Sequence, residues 1–237
     1  MAVNDRLDES AAEARAPADV GVDRQRPTRR ARRFARRLGL VLSVAIGLLG
    51  LLGTIYEVEP AGVLTRFDLD GERTVPAALS SLLLAVGAGA LLALGRRGMG
   101  LPALVFSALF AFAALDEAFE VHERLERDVG VDWQLLYLPA FAAIALLWTL
   151  VLRGLPGVGP SRALYLTGTA AWAAAQLLEA IQWGDDGPRY GYPAMMVTEE
   201  VLEMTGSAAL LLAFLDALAR WPGREPSPAA ASPPTHG

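Results

Sequence analysis

Four apolar stretches of this sequence are interrupted or closed by acids. LDEAFEVHERLE carries Asp116, Glu117, Glu120, His122 and Glu123; AAQLLEAIQW carries Glu179; MMVTEEVLEMTG carries Glu199, Glu200 and Glu203; and Glu57 ends a further apolar run. A carboxylate among apolar residues is costly to keep ionised, so each of these needs an arginine, a proton or a metal ion as compensation. Arginine is scarce on this side of the pattern, where Arg66, Arg73, Arg124, Arg127 and Arg189 all fall in or beside loops. Protons would leave neutral hydrogen-bonded pairs of the kind found in proton relays. A site rich in oxygen and poor in nitrogen suits a hard divalent cation, Mn²⁺, Mg²⁺ or Ca²⁺, with carboxylate-bridged iron as a further option.

On a continuous helix Asp116, Glu120 and Glu123 lie within about 60° of one another with Glu117 beside them, and Glu199, Glu200 and Glu203 share a second face. The expected metal ligands are therefore Asp116, Glu120, Glu123, Glu179, Glu199, Glu200 and Glu203. Glu57, Glu117 and His122 are secondary candidates. Glu57, Glu117 and Glu123 fit a water-facing helix end equally well. His122 points about 160° away from Glu120 on a straight helix, which suits a pair with Glu126 at i+4. Phe119 stands three places before His122, so the Glu-x-x-His signature of di-iron bundles is missing. The chain has no cysteine and two histidines, one of them His236 near the C-terminus, which excludes iron–sulfur clusters, thiolate metal sites and bis-histidine haem. No nucleophile motif or phosphate loop designates catalytic residues.

The elements that must position these acids are membrane helices. Hydrophobic residues make up 53% of the 237, and they gather in blocks where a soluble core would alternate them with polar ones. Six spans are expected: 38–58, 75–94, 101–123, 135–152, 163–183 and 193–219. They form an all-α integral membrane bundle over 38–219, between a basic tail over 1–37 and a Pro-rich tail over 220–237, both expected to be disordered. Arg29 to Arg37, Arg96, Arg97, Arg153, Arg162, Arg220 and Arg224 fall on one side, which the positive-inside rule makes cytoplasmic, with both termini there. The other side carries Tyr56, Trp133, Tyr137, Trp183, Tyr190 and Tyr192, an aromatic belt. In this frame Asp116, Glu179, Glu57, Glu199 and Glu203 all fall in the outer half of the bilayer, at depths of about 2 to 14 Å. Beyond the bilayer itself, the expected partner is anionic lipid headgroups at Arg29 to Arg37; no nucleic acid is expected.

The pairing of DE-x-x-E-x-HER over Asp116 to Arg124 with EE-x-x-E-M-x-G over Glu199 to Gly206 resembles a pattern in uncharacterised bacterial multi-pass membrane proteins. It implies weight for those positions and no particular chemistry. The expected function is an outward-facing intramembrane carboxylate site that binds a cation, with a metal-dependent enzyme acting on a membrane-soluble substrate as one use of it. A cation or proton carrier is the second reading, and a structural or assembly protein whose acids specify packing is the third.

Overall fold

The structure is a computed structural model that describes residues 29–59, 62–71, 73–131, 136–157, 159–184 and 187–221. Seven helices account for nearly all of it: α1 (Arg29–Val58), α2 (Val75–Leu94), α3 (Leu101–Phe119), α4 (Val121–Val129), α5 (Leu138–Gly154), α6 (Ser161–Gln182) and α7 (Tyr192–Arg220). A 3₁₀ turn over Gly62–Phe67 lies between α1 and α2, and a wide π-type turn over Gly95–Met99 joins α2 to α3. The extended pairing among the described residues is one two-residue antiparallel ladder, Trp183 with Pro188 and Gly184 with Gly187, between α6 and α7.

Local sequence explains where the helices start. Pro76, Pro102, Pro139 and Pro193 occupy the first turns of α2, α3, α5 and α7, where the N–H that proline lacks would have no helical partner. Helix α1 begins at Arg29, so Arg29 to Arg37 are helical and the expected disordered stretch to residue 37 is corrected there. Arginine and alanine are strong helix formers, and an apolar helix already nucleated behind them extends through them. The rest of both tails, 1–28 and 222–237, lies outside the described residues.

Among the described residues, four helices are long and apolar enough to cross a membrane: α1, α2 with its following turn, α3 and α7. Four of the six expected spans meet this measure. Helix α5 contributes a shorter apolar stretch, Ala142–Gly154, and α6 is 22 residues long but diluted by Ser161, Thr167, Thr169, Gln176 and Glu179. Helix α7 is the hub of the bundle, packing against α6, α2 and α1. Its crossing with α6 is made close by two glycines: a Cβ on Gly168 would sit 2.8 Å from the Gly206 carbonyl oxygen, and one on Gly206 2.9 Å from that of Gly168. Small residues at such a crossing let backbones approach where lipid supplies no hydrophobic drive.

Between the helices lies an apolar core built around Phe106, Phe110, Tyr165 and Phe214. Phe110 meets Phe106, Phe214 and Trp172 at ring-centroid distances of 5.1, 5.6 and 6.2 Å, and Tyr165 continues the cluster to Trp148. Polar side chains at this depth join helix to helix. Ser107 Oγ donates to the Ala88 carbonyl at 2.7 Å, Ser81 Oγ to that of Ala114 at 2.8 Å, and Trp148 Nε1 to Thr169 Oγ1 at 2.7 Å.

The bundle has two chemically distinct ends. At one, Trp221 Nε1 donates to the Arg97 carbonyl, Arg97 reaches the Leu218 carbonyl, and Arg162 donates to Leu155, which brings the arginine-bearing ends of α2, α5, α6 and α7 together. There Asp216 accepts from Ser161 Oγ at 2.7 Å and from Arg220 Nε at 2.8 Å, with the ion pair buried. Glu179 near the end of α6 and Glu199, Glu200 and Glu203 in the first half of α7 lie toward the opposite end.

Candidate functional site at the carboxylate end

The acids of α6 and α7 are organised by two glutamines. Gln176 Nε2 donates to Glu179 Oε2 and Glu203 Oε1, each at 3.2 Å, so one amide group spans two helices. Gln182 Nε2 donates to Glu199 Oε2 at 2.7 Å, and both side chains are buried. Gln176, Glu179 and Gln182 are spaced three apart, which sets them along one side of α6. Beneath them Trp172 Nε1 donates to the Glu203 carbonyl and to Ser207 Oγ at 3.2 and 3.1 Å, where the acidic layer meets the aromatic core.

Helix α3 reaches this layer through Glu117, which lies within electrostatic range of Glu200 and Glu203. Asp116 turns instead to α5, accepting from the Tyr137 hydroxyl at 3.3 Å. Helix α3 ends at Phe119, and Glu120 takes a left-handed conformation with φ 55° and ψ 43° while its N–H bonds back to the Asp116 carbonyl. The expectation that Asp116, Glu120 and Glu123 share one helical face is therefore corrected. The 100° rotation that would align them needs a continuous helix, and the break at Glu120 places Glu123 on α4. The side chains of His122 and Glu123 lie outside the described residues, as do Trp133 and the side chain of Trp183.

Toward the surface the acids continue beyond those the sequence pattern singled out. Tyr56 and Glu57 from α1, Asp68 and Asp70 from the connection to α2, and Tyr192 and Met196 from α7 line an open cleft of about 260 Å³. The Tyr192 hydroxyl donates to Asp70 Oδ2 at 3.3 Å, and Tyr56 lies within electrostatic range of Asp68. Leu69 fastens this connection: its buried side chain packs on Gly53 of α1, where a Cβ would collide with it. Asp70 and Glu179 lie within electrostatic range of Glu199, linking the cleft to the layer below.

Sequence reasoning missed the amide donors and the two aspartates. Besides arginine, proton and metal, glutamine N–H groups can satisfy carboxylates, as they do at Glu179, Glu199 and Glu203. The signal was present in QLLEAIQ, where glutamines flank Glu179 at three residues on each side. Among the described residues, no three acid or histidine side chains come together in a way that could hold one metal ion. A glutamine sits between Glu179 and Glu203 where direct convergence would be needed, and another is bonded to Glu199.

The fold is an all-α helical bundle with, among the described residues, four helices long and apolar enough to cross a membrane. A family model described as a domain of unknown function, DUF8692, matches residues 38–218, and the chain belongs to that family. Comparison with curated proteins and with solved structures found no match.

Proposed function

We propose that this protein is a multi-pass protein of the cell membrane, with both termini cytoplasmic, that binds a cation at its outward-facing carboxylate end. One observation carries the reading: acids from α1, α3, α6, α7 and the α1–α2 connection lie within electrostatic range of one another or line one cleft, at the end away from Arg97, Arg162 and Arg220. Acids at this depth in a membrane protein face an interior or a water-filled recess and mark sites of ion or substrate binding. The arginine end supplies the orientation by the positive-inside rule. On the same side Arg30, Arg33, Phe34 and Arg37 line a recess of about 400 Å³ suited to an anionic lipid headgroup.

Binding without passage is the better-supported use. Several hydroxyls that a conducting path would need below the acids are engaged between helices or with their own backbone, and an aromatic core fills the space. The test is thermal unfolding of the purified chain in detergent at constant ionic strength, with Mn²⁺, Mg²⁺, Ca²⁺, alkali ions or ammonium ions present in turn. At least one should raise the melting temperature saturably, as binding to the folded state alone requires, and Glu199→Gln should weaken the effect. Indifference to every cation would overturn the reading.

A further inference from the structure

We infer that α4 is an interfacial helix, lying in the surface of the bilayer with Val121, Leu125 and Val129 set between lipid headgroups and upper acyl chains. This rests on the reading of α3 as a membrane span and goes beyond the cation site to a lipid-binding surface. The starting observation is the length of α3. Its 19 residues rise about 28 Å, close to the roughly 30 Å of a bilayer's hydrocarbon. The exposed large apolar residues Leu101, Val105, Phe112, Leu115 and Phe119 fall within about 80° of one another, as one stripe along the whole helix. Phe119, the last of them, is 56% exposed. A stripe as long as the hydrocarbon is thick is the side of α3 that meets lipid, so α4 starts where the headgroups begin. Tyr137, bonded to Asp116 in the last turn of α3, marks the same level, because tyrosines collect at membrane interfaces.

Glu120 then breaks the helix. Its left-handed conformation closes α3, and α4 resumes with the Arg124 N–H bonded to the Glu120 carbonyl at 3.1 Å. Helix α4 packs on α3, its neighbour in the chain, and from Arg124 onward its described side chains are exposed. Its sequence is amphipathic. Val121, Leu125 and Val129, four apart, cover about 80° of the helix surface, and Arg127 lies about 160° from their centre. A narrow apolar stripe on a strongly charged helix, directly after a span, fits a helix lying in the membrane interface. A second copy of the chain is a poorer occupant, because three aliphatic side chains offer far less than the roughly 800 Å² that each partner gives to a stable interface. Lipid sets no such threshold. Helix α3 already holds α4 at the bilayer surface, so docking costs little translational freedom and a short apolar face suffices.

The experiment uses single-cysteine variants of the full chain, which has no cysteine of its own: Phe112→Cys, Leu125→Cys, Arg127→Cys and Val129→Cys. Each is labelled with a polarity-sensitive bimane and reconstituted in phosphatidylcholine vesicles containing lipid with a nitroxide either near the headgroup or at mid-chain. Phe112→Cys, on the lipid side of α3, should be quenched by the mid-chain nitroxide. Leu125→Cys and Val129→Cys should be quenched by the headgroup-proximal nitroxide at least about twofold more than Arg127→Cys, as an apolar face set about 5–10 Å into the interface requires. Should one labelled variant of this face not fold, the other reads the same side. Equal quenching at Leu125, Val129 and Arg127, with Phe112 quenched normally, would overturn the proposal and leave the span standing. Blue-shifted emission at Leu125 that neither lipid quenches, the sign of a protein partner, would do the same. So would stronger quenching there by the mid-chain nitroxide, the sign of a span that continues through α4. No quenching of Phe112→Cys by either lipid would remove the span and the interfacial helix together.

Discussion

Gln176 holds two carboxylates of different helices with one NH₂ group, and each bond is to an acid. Replacing it by leucine removes both donors at once while keeping the volume. Unfolding in detergent should show a loss of about 1.5–3 kcal/mol, the range for hydrogen bonds to charged groups. Glu203→Gln introduced into that variant should restore part of the loss, because an amide at 203 can donate to Glu179 where a carboxylate can only accept. Absence of any rescue would mean that Gln176 acts through packing. At the other end, Asp216 and Arg220 form a buried ion pair with Ser161 as a second donor. Asp216→Ala should cost about 3–5 kcal/mol because it strands the guanidinium, and the Asp216→Ala/Arg220→Ala pair should cost less than the aspartate change alone. A double-mutant cycle measures this difference.

At the scale of elements the consequential feature is the end of α3. Glu120 is a non-glycine residue at φ 55°, a conformation that costs an L-residue roughly 1–2 kcal/mol and that helices ordinarily assign to glycine. Strain of this kind clusters at functional positions. Glu120→Gly should therefore raise stability by about 1 kcal/mol, while Glu120→Ala should bring no comparable gain, as chemical unfolding of the two variants would show. If alanine stabilised as much as glycine, the carboxylate and not the backbone would be the source of strain. The same break illustrates what periodicity conveys. Helical spacing over Val75–Leu94 placed α2 correctly, because nothing in that segment competes with a continuous helix. Over LDEAFEVHERLE it could not separate the acids: Glu117 lies within electrostatic range of α7, whereas Asp116 accepts from Tyr137. Rotation about a helix axis is set by what it packs against, and that partner is more than eighty residues away.

For the molecule as a whole, orientation follows from charge asymmetry. Arg96, exposed in the turn after α2, belongs to the cytoplasmic end under the proposed topology, and Tyr190, fully exposed before α7, to the outer end. The chain has no cysteine, so single cysteines report cleanly. A membrane-impermeant thiol reagent applied to intact cells should label Tyr190→Cys and spare Arg96→Cys until the cells are opened. The reverse pattern would invert the topology and turn the carboxylate end toward the cytoplasm.

Composition and periodicity alone determined that the chain is an all-α bundle with helices long and apolar enough to cross a membrane. This follows from where apolar blocks begin and stop, and a helix rises by the same amount per residue whatever its neighbours. Tertiary structure decided which acids meet and what satisfies them. Two glutamines hydrogen-bond Glu179, Glu203 and one oxygen of Glu199, and Asp68 and Asp70 line the cleft. Hydrogen-bond partners, unlike hydropathy, depend on the relative rotation of helices distant in sequence. That rotation is fixed by packing such as the Gly168–Gly206 crossing, which no local pattern encodes.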